Sequence, residues 1–481
     1  MRRERASDGA AGPGADDPVP GPVAARFGTR FLLPMLVGTS LNPINATLMA
    51  IAIVPISRSF GVGLSTATWL IAGFYLAAVT VQPIAGGLAD RASPRTVFAV
   101  GLVVVGASSV LGALAPSLTV LIVARVLQGV GTAVAYPSAL AMLHRHAAQI
   151  TSDGVARALG ALAITGQVIG AVAPPLGAAL IGLVGWRITL LVNVPIVITT
   201  LVMTLRWLPR SDAVGPAPAA SGLRRRLAAF DLPGLALLGG SLSLLFVFLL
   251  QLGRPRWLLL GACVALLAAF VGWERRTTNP VVDVMIVTRH PALGWTFLRN
   301  GASAVVVVGM FVSLPQWLQN GRGFTAPVAG LIMLPMCLIG TLCALWASRR
   351  LSYRLPLLVA HVAMLAGVAL LLTLDESTPV WGLLAVAGAL GISVGLTGVA
   401  NQAAMFTQAP GASAGTAAGI FRMTWYLGSI VATGLIGAML GSAADVAGLT
   451  ALSRVFVVIA ALLLVADLAV TAVQRRAPAA A

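Results

Sequence analysis

Lysine is absent from these 481 residues, and charge of any kind is scarce at 9%. A water-soluble chain of this length carries far more charge. The missing lysine also removes any Gly-x-x-x-x-Gly-Lys phosphate loop, so no ATP-driven engine is encoded here. Only three cysteines occur (Cys263, Cys337 and Cys343), all within apolar runs, which excludes a disulfide framework or thiolate metal site. The four histidines (His144, His146, His290 and His361) share no single location. His144 and His146 stand two apart, a spacing that does not share one helix face. A membrane enzyme built on a metal or a nucleophile set therefore has no visible residues. Residues 1–30 contain no apolar stretch of the kind that opens a cleaved signal peptide, and their Gly, Pro, Ala and charge suit a disordered tail.

What is abundant is apolar. The chain is 58% hydrophobic, with a mean hydropathy of +0.95. Runs of roughly 20 apolar residues recur, the length of a bilayer-crossing helix. Backbone groups in lipid must be satisfied internally, so these runs are expected to be helices. The two-residue alternation of a membrane barrel is absent. Fourteen spans are expected, at 31–57, 66–86, 96–115, 117–141, 156–182, 186–206, 232–252, 256–273, 293–317, 325–347, 355–373, 378–400, 413–440 and 450–473. An even number places both termini on one side.

Arginine placement orients the spans. The net charge of +17 invites a nucleic-acid reading, but the arginines are scattered through short loops rather than gathered in a patch. With the N-terminus inside, Arg58, Arg187, Arg254, Arg256, Arg322 and Arg454 fall outside. Arg125, Arg299 and Arg422 fall within spans, and all the others fall inside. This bias predicts a multi-pass protein of the cytoplasmic (inner) cell membrane with both termini cytoplasmic. The basic, Pro- and Ala-rich stretch 207–231 is then a cytoplasmic linker beside the anionic inner leaflet.

Several stretches carry a resemblance. "GGLADRASPR", Gly86 to Arg95, resembles the Gly-x-Leu-Ala-Asp-Arg-x-Gly-x-Arg signature of the major facilitator superfamily, with Ser93 in a glycine's place. "LIVARVLQGVG", Leu121 to Gly131, is similar to its span-4 motif. "GQVIGAVAPPLGA", Gly166 to Ala178, resembles its antiporter motif, with Ala173 and Ala178 replacing glycines. "WRITLLVNVP" from Trp186, "WERRTTNP" from Trp273, "LPQWLQ" from Leu314 and "GLIMLP" from Gly330 resemble the fourteen-span drug:proton antiporter branch. The likeness runs from about residue 31 to 473.

The resemblance implies an all-α integral membrane fold of two pseudo-symmetric six-helix bundles plus two extra transmembrane helices. The bundles would be 31–206 and 293–473, and the extra pair 232–273. A cytoplasmic loop would occupy 274–292 and a cytoplasmic tail 474–481. It implies a latch at Gly86, Asp90, Arg91 and Arg95, a span-4 site at Arg125, Gln128 and Gly129, and a span-5 site at Gly170, Pro174 and Gly177. Gly166 and Gly170 are also spaced for tight helix packing, and Pro174 and Pro175 should bend span 5.

The branch usually exchanges drug for proton through an acid in span 1, but Asn45 stands there and does not titrate. The remaining proton-coupling candidates are Asp467, the one acid clearly inside a span, His361 and Asp90. Candidate cavity residues are Asn45, Tyr75, Asn300, Gln316, Arg422, Trp425 and Tyr426. With arginines rather than acids in the spans, a small neutral or anionic amphiphile is expected over a simple cation. The expected function is export of drugs or natural products by alternating access, driven by a transmembrane proton gradient and needing no cofactor. A metabolite symporter or uniporter of the same fold is the alternative. The expected surroundings are a lipid bilayer and no nucleic acid, and the chain is expected to act as a monomer.

Overall fold

The computed structural model describes residues 27–91, 93–146, 150–209, 231–277, 289–350, 352–409, 414–441 and 444–476. Most of the expected tail at 1–30, of the linker at 207–231 and of the loop at 274–292 lies outside the described residues, as does 477–481.

Every long apolar run forms a helix. The first half contains α1 (Thr29–Phe60), α2 (Leu64–Ala67), α3 (Trp69–Arg91), α4 (Pro94–Ala113), α5 (Leu118–Ala133), α6 (Ala135–Arg145), α7 (Ser152–Val184), α8 (Ile188–Leu191) and α9 (Asn193–Trp207). An intervening pair follows, α10 (Leu232–Leu250) and α11 (Trp257–Glu274). The second half contains α12 (Pro291–Asn320), α13 (Ala326–Ser348), α14 (Arg354–Leu371), α15 (Val380–Gln408), α16 (Ala414–Met439) and α17 (Val446–Arg476).

Among the described residues 13 helical segments are long and apolar enough to cross a membrane. Fourteen were expected; the further helix α7 has a shorter apolar stretch at Val168–Val184, below the length of the other 13. Expected spans 2, 4 and 6 are each broken in two. Proline explains two of the breaks. Pro137 cannot donate to Ala133, where α5 ends, and Pro195 cannot donate to Leu191, where α8 ends. The prolines within α1, α7, α12 and α13 are absorbed without a break.

The two halves repeat one packing scheme. In the first, α3 meets α5 so closely that a Cβ on Gly129 would collide with the Phe74 carbonyl. In the second, the matching pair α13 and α15 meets where a Cβ on Gly395 would collide with the Gly340 carbonyl. The contacts between halves repeat as well. Helix α7 packs on α13, and its pseudo-symmetric counterpart is α3 on α16. The extra helix α10 packs against both α3 and α16, while α11 leans on α10 and turns most of its surface, including Leu258 and Val264, outward to lipid.

The ends of the molecule differ. Call the end where α1 begins the near end. At the far end one apolar core runs through both halves, from Met49–Val54 and Leu70 to Val305–Val308, Leu314 and Ile332. At the near end each half has its own cluster. Phe27, Met35, Phe98 and Leu143 belong to one, and Leu293, Phe297, Met405 and Ala417 to the other. Polar bonds reinforce the far closure. Arg58, in the last turn of α1, donates to the Gln319 carbonyl at 3.2 Å and to Asn320 Oδ1 at 2.8 Å. Gln319 in turn donates to the Ile51 carbonyl at 3.2 Å. The halves are thus joined far from the termini and separate near them.

Candidate functional site

Between the halves lies a cavity of about 290 Å³. Its walls are one face each of α1, α3, α6 and α7 from the first half and α12, α13, α15 and α16 from the second. Helical spacing selects those faces. Thr39, Asn42, Pro43, Ala46, Thr47 and Ala50 recur every three or four residues along α1, and Ala418, Phe421, Arg422, Trp425 and Tyr426 do so along α16. The lining reaches Met405 and Ala418, close to the near-end tips of their helices, and stops at Ala50 and Val312 beneath the shared far core.

Five of the seven expected cavity residues line it: Tyr75, Asn300, Arg422, Trp425 and Tyr426. Among the described residues, Arg422 is the one charged residue in the lining. Its guanidinium sits 3.9 Å from the centre of the Tyr136 ring, on the opposite half, a cation–π contact across the cavity. The rings of Tyr75 and Tyr426 lie 5.9 Å apart, and the Tyr426 hydroxyl donates to Asn42 Oδ1 at 3.4 Å. Asn300 donates to the Phe421 carbonyl at 2.8 Å and to Thr424 Oγ1 at 3.1 Å. Its Oδ1 is buried and accepts no hydrogen bond among the described residues, so the wall holds one acceptor without a donor. Asn42, Tyr136 and Gln402 also line the cavity and were missed. Extending the three-and-four spacing from Ala46 and from Met405 would have found Asn42 and Gln402.

The expectation fails for Asn45 and Gln316, neither of which lines the cavity. Asn45 lies beside the lining face rather than on it. It exchanges two hydrogen bonds of 2.9 Å with Asn193 and donates to the Leu41 carbonyl at 2.8 Å, so it fastens α1 to α9. Gln316 is buried in α12, and neither of its amide atoms has a partner among the described residues.

The span-4 residues form a closed network away from the cavity lining. Arg125 is 1% exposed. It donates to the Leu70 carbonyl at 3.0 Å, the Asn45 carbonyl at 3.2 Å and Gln128 Oε1 at 2.7 Å, and stacks 4.6 Å over the Phe74 ring. Gln128 passes the network to Ser109 at 2.8 Å. No carboxylate lies within ion-pair distance of Arg125 among the described residues. The buried cation is held by dipoles and a ring face, and it joins α1, α3, α4 and α5.

The span-5 residues divide. Gly170 lines the cavity opposite Pro43. Gly166 also lines it, with nothing within 4 Å of where its Cβ would stand, so these two glycines widen the cavity instead of packing tightly. The tight contacts come later in α7. A side chain on Gly177 would overlap Leu48, and Ala178 fills the space left by Gly330 of α13. Pro174 is buried inside a continuous helix.

Of the latch residues, the side chains of Gly86, Asp90 and Arg91 lie outside the described set, though α3 continues to Arg91. Arg95, in the first turn of α4, donates to the carbonyls of Thr204 at 3.2 Å and Leu205 at 2.6 Å. A cation placed there satisfies the open C-terminal end of α9.

The two remaining proton-coupling candidates meet each other. Asp467 Oδ2 lies 2.6 Å from His361 Nδ1, and Asp467 Oδ1 lies 3.1 Å from Arg299 Nη1. His361 and Arg299 are buried, 0% and 3% exposed. Trp295 donates to the same carboxylate at 3.3 Å. Arg299 also donates to Asn401 Oδ1 at 2.7 Å and to Thr296 Oγ1 at 3.3 Å. The cluster draws on α12, α14, α15 and α17. Sequence pattern marked Asp467, His361 and Arg299 one at a time, but gave no reason to place three helices' polar residues on one axis.

Comparison with known proteins agrees with this architecture. The profile described as Major Facilitator Superfamily matches residues 35–433. Puromycin resistance protein pur8 of Streptomyces alboniger is 31% identical over 360 residues, covering 72% of this chain and 68% of its own. Methylenomycin A resistance protein of Streptomyces coelicolor is 28% identical over 418 residues, 85% of each chain. The crystal structure of a mutant of the peptide transporter POT superposes with a TM-score of 0.66 at 14% identity, covering 92% of this chain and 96% of that one, and so shares the fold. The matched profile, the helix order and the cavity between two repeated halves place this multi-pass membrane protein in the Major Facilitator Superfamily.

Proposed function

We propose that the protein exports drugs or natural products across the cytoplasmic membrane in exchange for protons, by alternating access to the cavity between its halves. The observation that carries this reading is the cavity itself. It lies at mid-helix depth, is walled by both halves, reaches toward one end and stops below a shared apolar core at the other. Superfamily membership and the antibiotic-resistance relatives support export rather than chemistry. With both termini cytoplasmic, the near end faces inward and the described state is ready to load from the cell. Residues 207–231 then form a cytoplasmic linker between the first bundle and the extra pair.

The lining favours a neutral or anionic amphiphile. Among the described residues of the lining, aromatic and aliphatic side chains dominate and the single charge is the cation of Arg422. A simple organic cation would meet that charge with no carboxylate among those residues to offset it. A symporter or uniporter is the second reading. One observation favours it: the span-1 position where an acid is expected holds Asn45, bonded into the scaffold.

Everted vesicles carrying the protein separate the readings. Puromycin, methylenomycin A and ethidium are each followed with and without a pH gradient. Proton exchange predicts accumulation that collapses when the gradient is dissipated. Transport that ignores the gradient would replace exchange with the second reading. Ethidium moving far better than neutral or anionic compounds would overturn the substrate class.

A further inference from the structure

The ion cluster in the second half has a position that transport of an amphiphile does not by itself require. Arg299 and Asn401 belong to it, and their immediate chain neighbours Asn300 and Gln402 line the cavity. The cluster therefore stands directly behind the cavity wall, on the same turns of α12 and α15. A buried ion pair is costly in lipid surroundings and is weak evidence for stability alone. Its placement needs another reason.

We propose that Asp467 and His361 form the proton-binding site of this transporter, with Arg299 as the positioning residue that links it to the cavity wall. This deepens the exchange reading above and rests on it. An ionised carboxylate only accepts, so His361 Nδ1–H donates to Asp467 Oδ2, and His361 Nε2 is left with a lone pair facing Ser303 Oγ at 3.4 Å. In that state Arg299 is cationic, Asp467 anionic and His361 neutral, and these three groups together carry no net charge. An incoming proton binds Nε2, and the imidazolium keeps its Nδ1–H bond to the Asp467 carboxylate, which stays ionised beside Arg299. The product is an imidazolium–carboxylate pair. One proton has entered, and the net charge has risen by one. Asp467 is then shared between two cations, while the other bond of Arg299 still holds Asn401 of α15. The hydrogen bonds joining α12, α15 and α17 are re-weighted on the turns that carry Asn300 and Gln402.

Helix α17 packs against α12, α14 and α16. From α12 Asp467 meets Arg299 and the indole of Trp295, and from α14 it meets His361. The charged residue of α16, Arg422, turns to Tyr136 in the other half. Tyr353, at the start of α14, faces Arg299 from the near end and takes a hydrogen bond of 3.4 Å from Gln408.

Infrared pH-difference spectroscopy on the purified full chain reads proton binding with no substrate present. Spectra are compared across roughly pH 5 to 8. The wild type is expected to gain imidazolium bands as the pH falls. Asp467→Asn alone leaves the Arg299 cation uncompensated and risks misfolding, so the variant that tests the carboxylate is the neutral pair Asp467→Asn with Arg299→Gln. That pair is expected to shift the midpoint of the imidazolium bands, and His361→Gln to remove the contribution of this site. Bands that survive unchanged in His361→Gln, or a midpoint that does not move in the double variant, overturn the proposal. Because the assay needs no transport, the exchange reading can fail in vesicles while this site stands, and the reverse.

Discussion

At the scale of the residue, membrane burial gives each polar side chain a different task. Asn45 and Asn193 satisfy each other and fasten two helices. Arg125 shows how a cation can be buried without a carboxylate, by spending its donors on two carbonyls and an amide. Arg422 is different, because it lies on the cavity wall and its charge faces the space a substrate would fill. A charge-assisted hydrogen bond contributes about 1.5–3 kcal/mol, equivalent to roughly ten- to a hundredfold in apparent affinity. Arg422→Ala should therefore weaken transport of anionic compounds by that order and neutral ones by much less. Arg422→Lys should recover part of the anionic activity. Concentration-dependent uptake into vesicles reads both. An equal loss for neutral and anionic compounds would make Arg422 a packing residue.

At the scale of the element, small residues set how closely helices approach. A Cβ on Gly395 would meet the backbone of Gly340, where no side chain can swing aside. Gly419 on α16 has nothing within 4 Å of that position. Gly395→Val should force α13 and α15 apart, at a cost of about 1–3 kcal/mol or more for overpacking. Gly419→Ala should leave stability unchanged or slightly higher, since it removes only unfolded-chain freedom. Thermal unfolding of the two purified variants checks the pair. Helix existence was legible in the sequence because twenty-residue apolar runs have few other solutions in lipid. Helix ends were less so. Helix α15 continues to Gln408, eight residues past the expected end at 400, because Asn401, Gln402 and Gln408 have partners or cavity to face and do not need to leave the membrane. The proline breaks at Ala133 and Leu191 could have been read from Pro137 and Pro195, four residues downstream.

At the scale of the whole molecule, the two halves share a core at one end and part at the other. The sequence pointed to two repeated bundles and an inserted pair, and the packing has that form. It did not say which faces look inward, so Asn45 and Gln316 were placed in the cavity and Asn42 was not. One residue of rotation on a helix is about a hundred degrees, enough to move a side chain from the cavity to the scaffold. Nor could linear spacing bring Asp467 of α17 to His361 of α14. The far closure rests on the shared apolar core and on bonds from Arg58 and Gln319, which must break if the cavity is to open on that side.

Alternating access is the central claim, and paired distances test it most directly. With Cys263, Cys337 and Cys343 replaced, spin labels at positions 63 and 323 report the far end, and labels at 93 and 352 report the near end. Removing the Arg58 bonds at about 1 kcal/mol each should raise the far-open population roughly fivefold or more, lengthening the far-end distance as the near-end distance shortens. A transported compound from the vesicle panel should shift the same two distances in opposite directions. Two distances that lengthen together, or that stay fixed in Arg58→Ala and with every compound the vesicles move, would contradict the account.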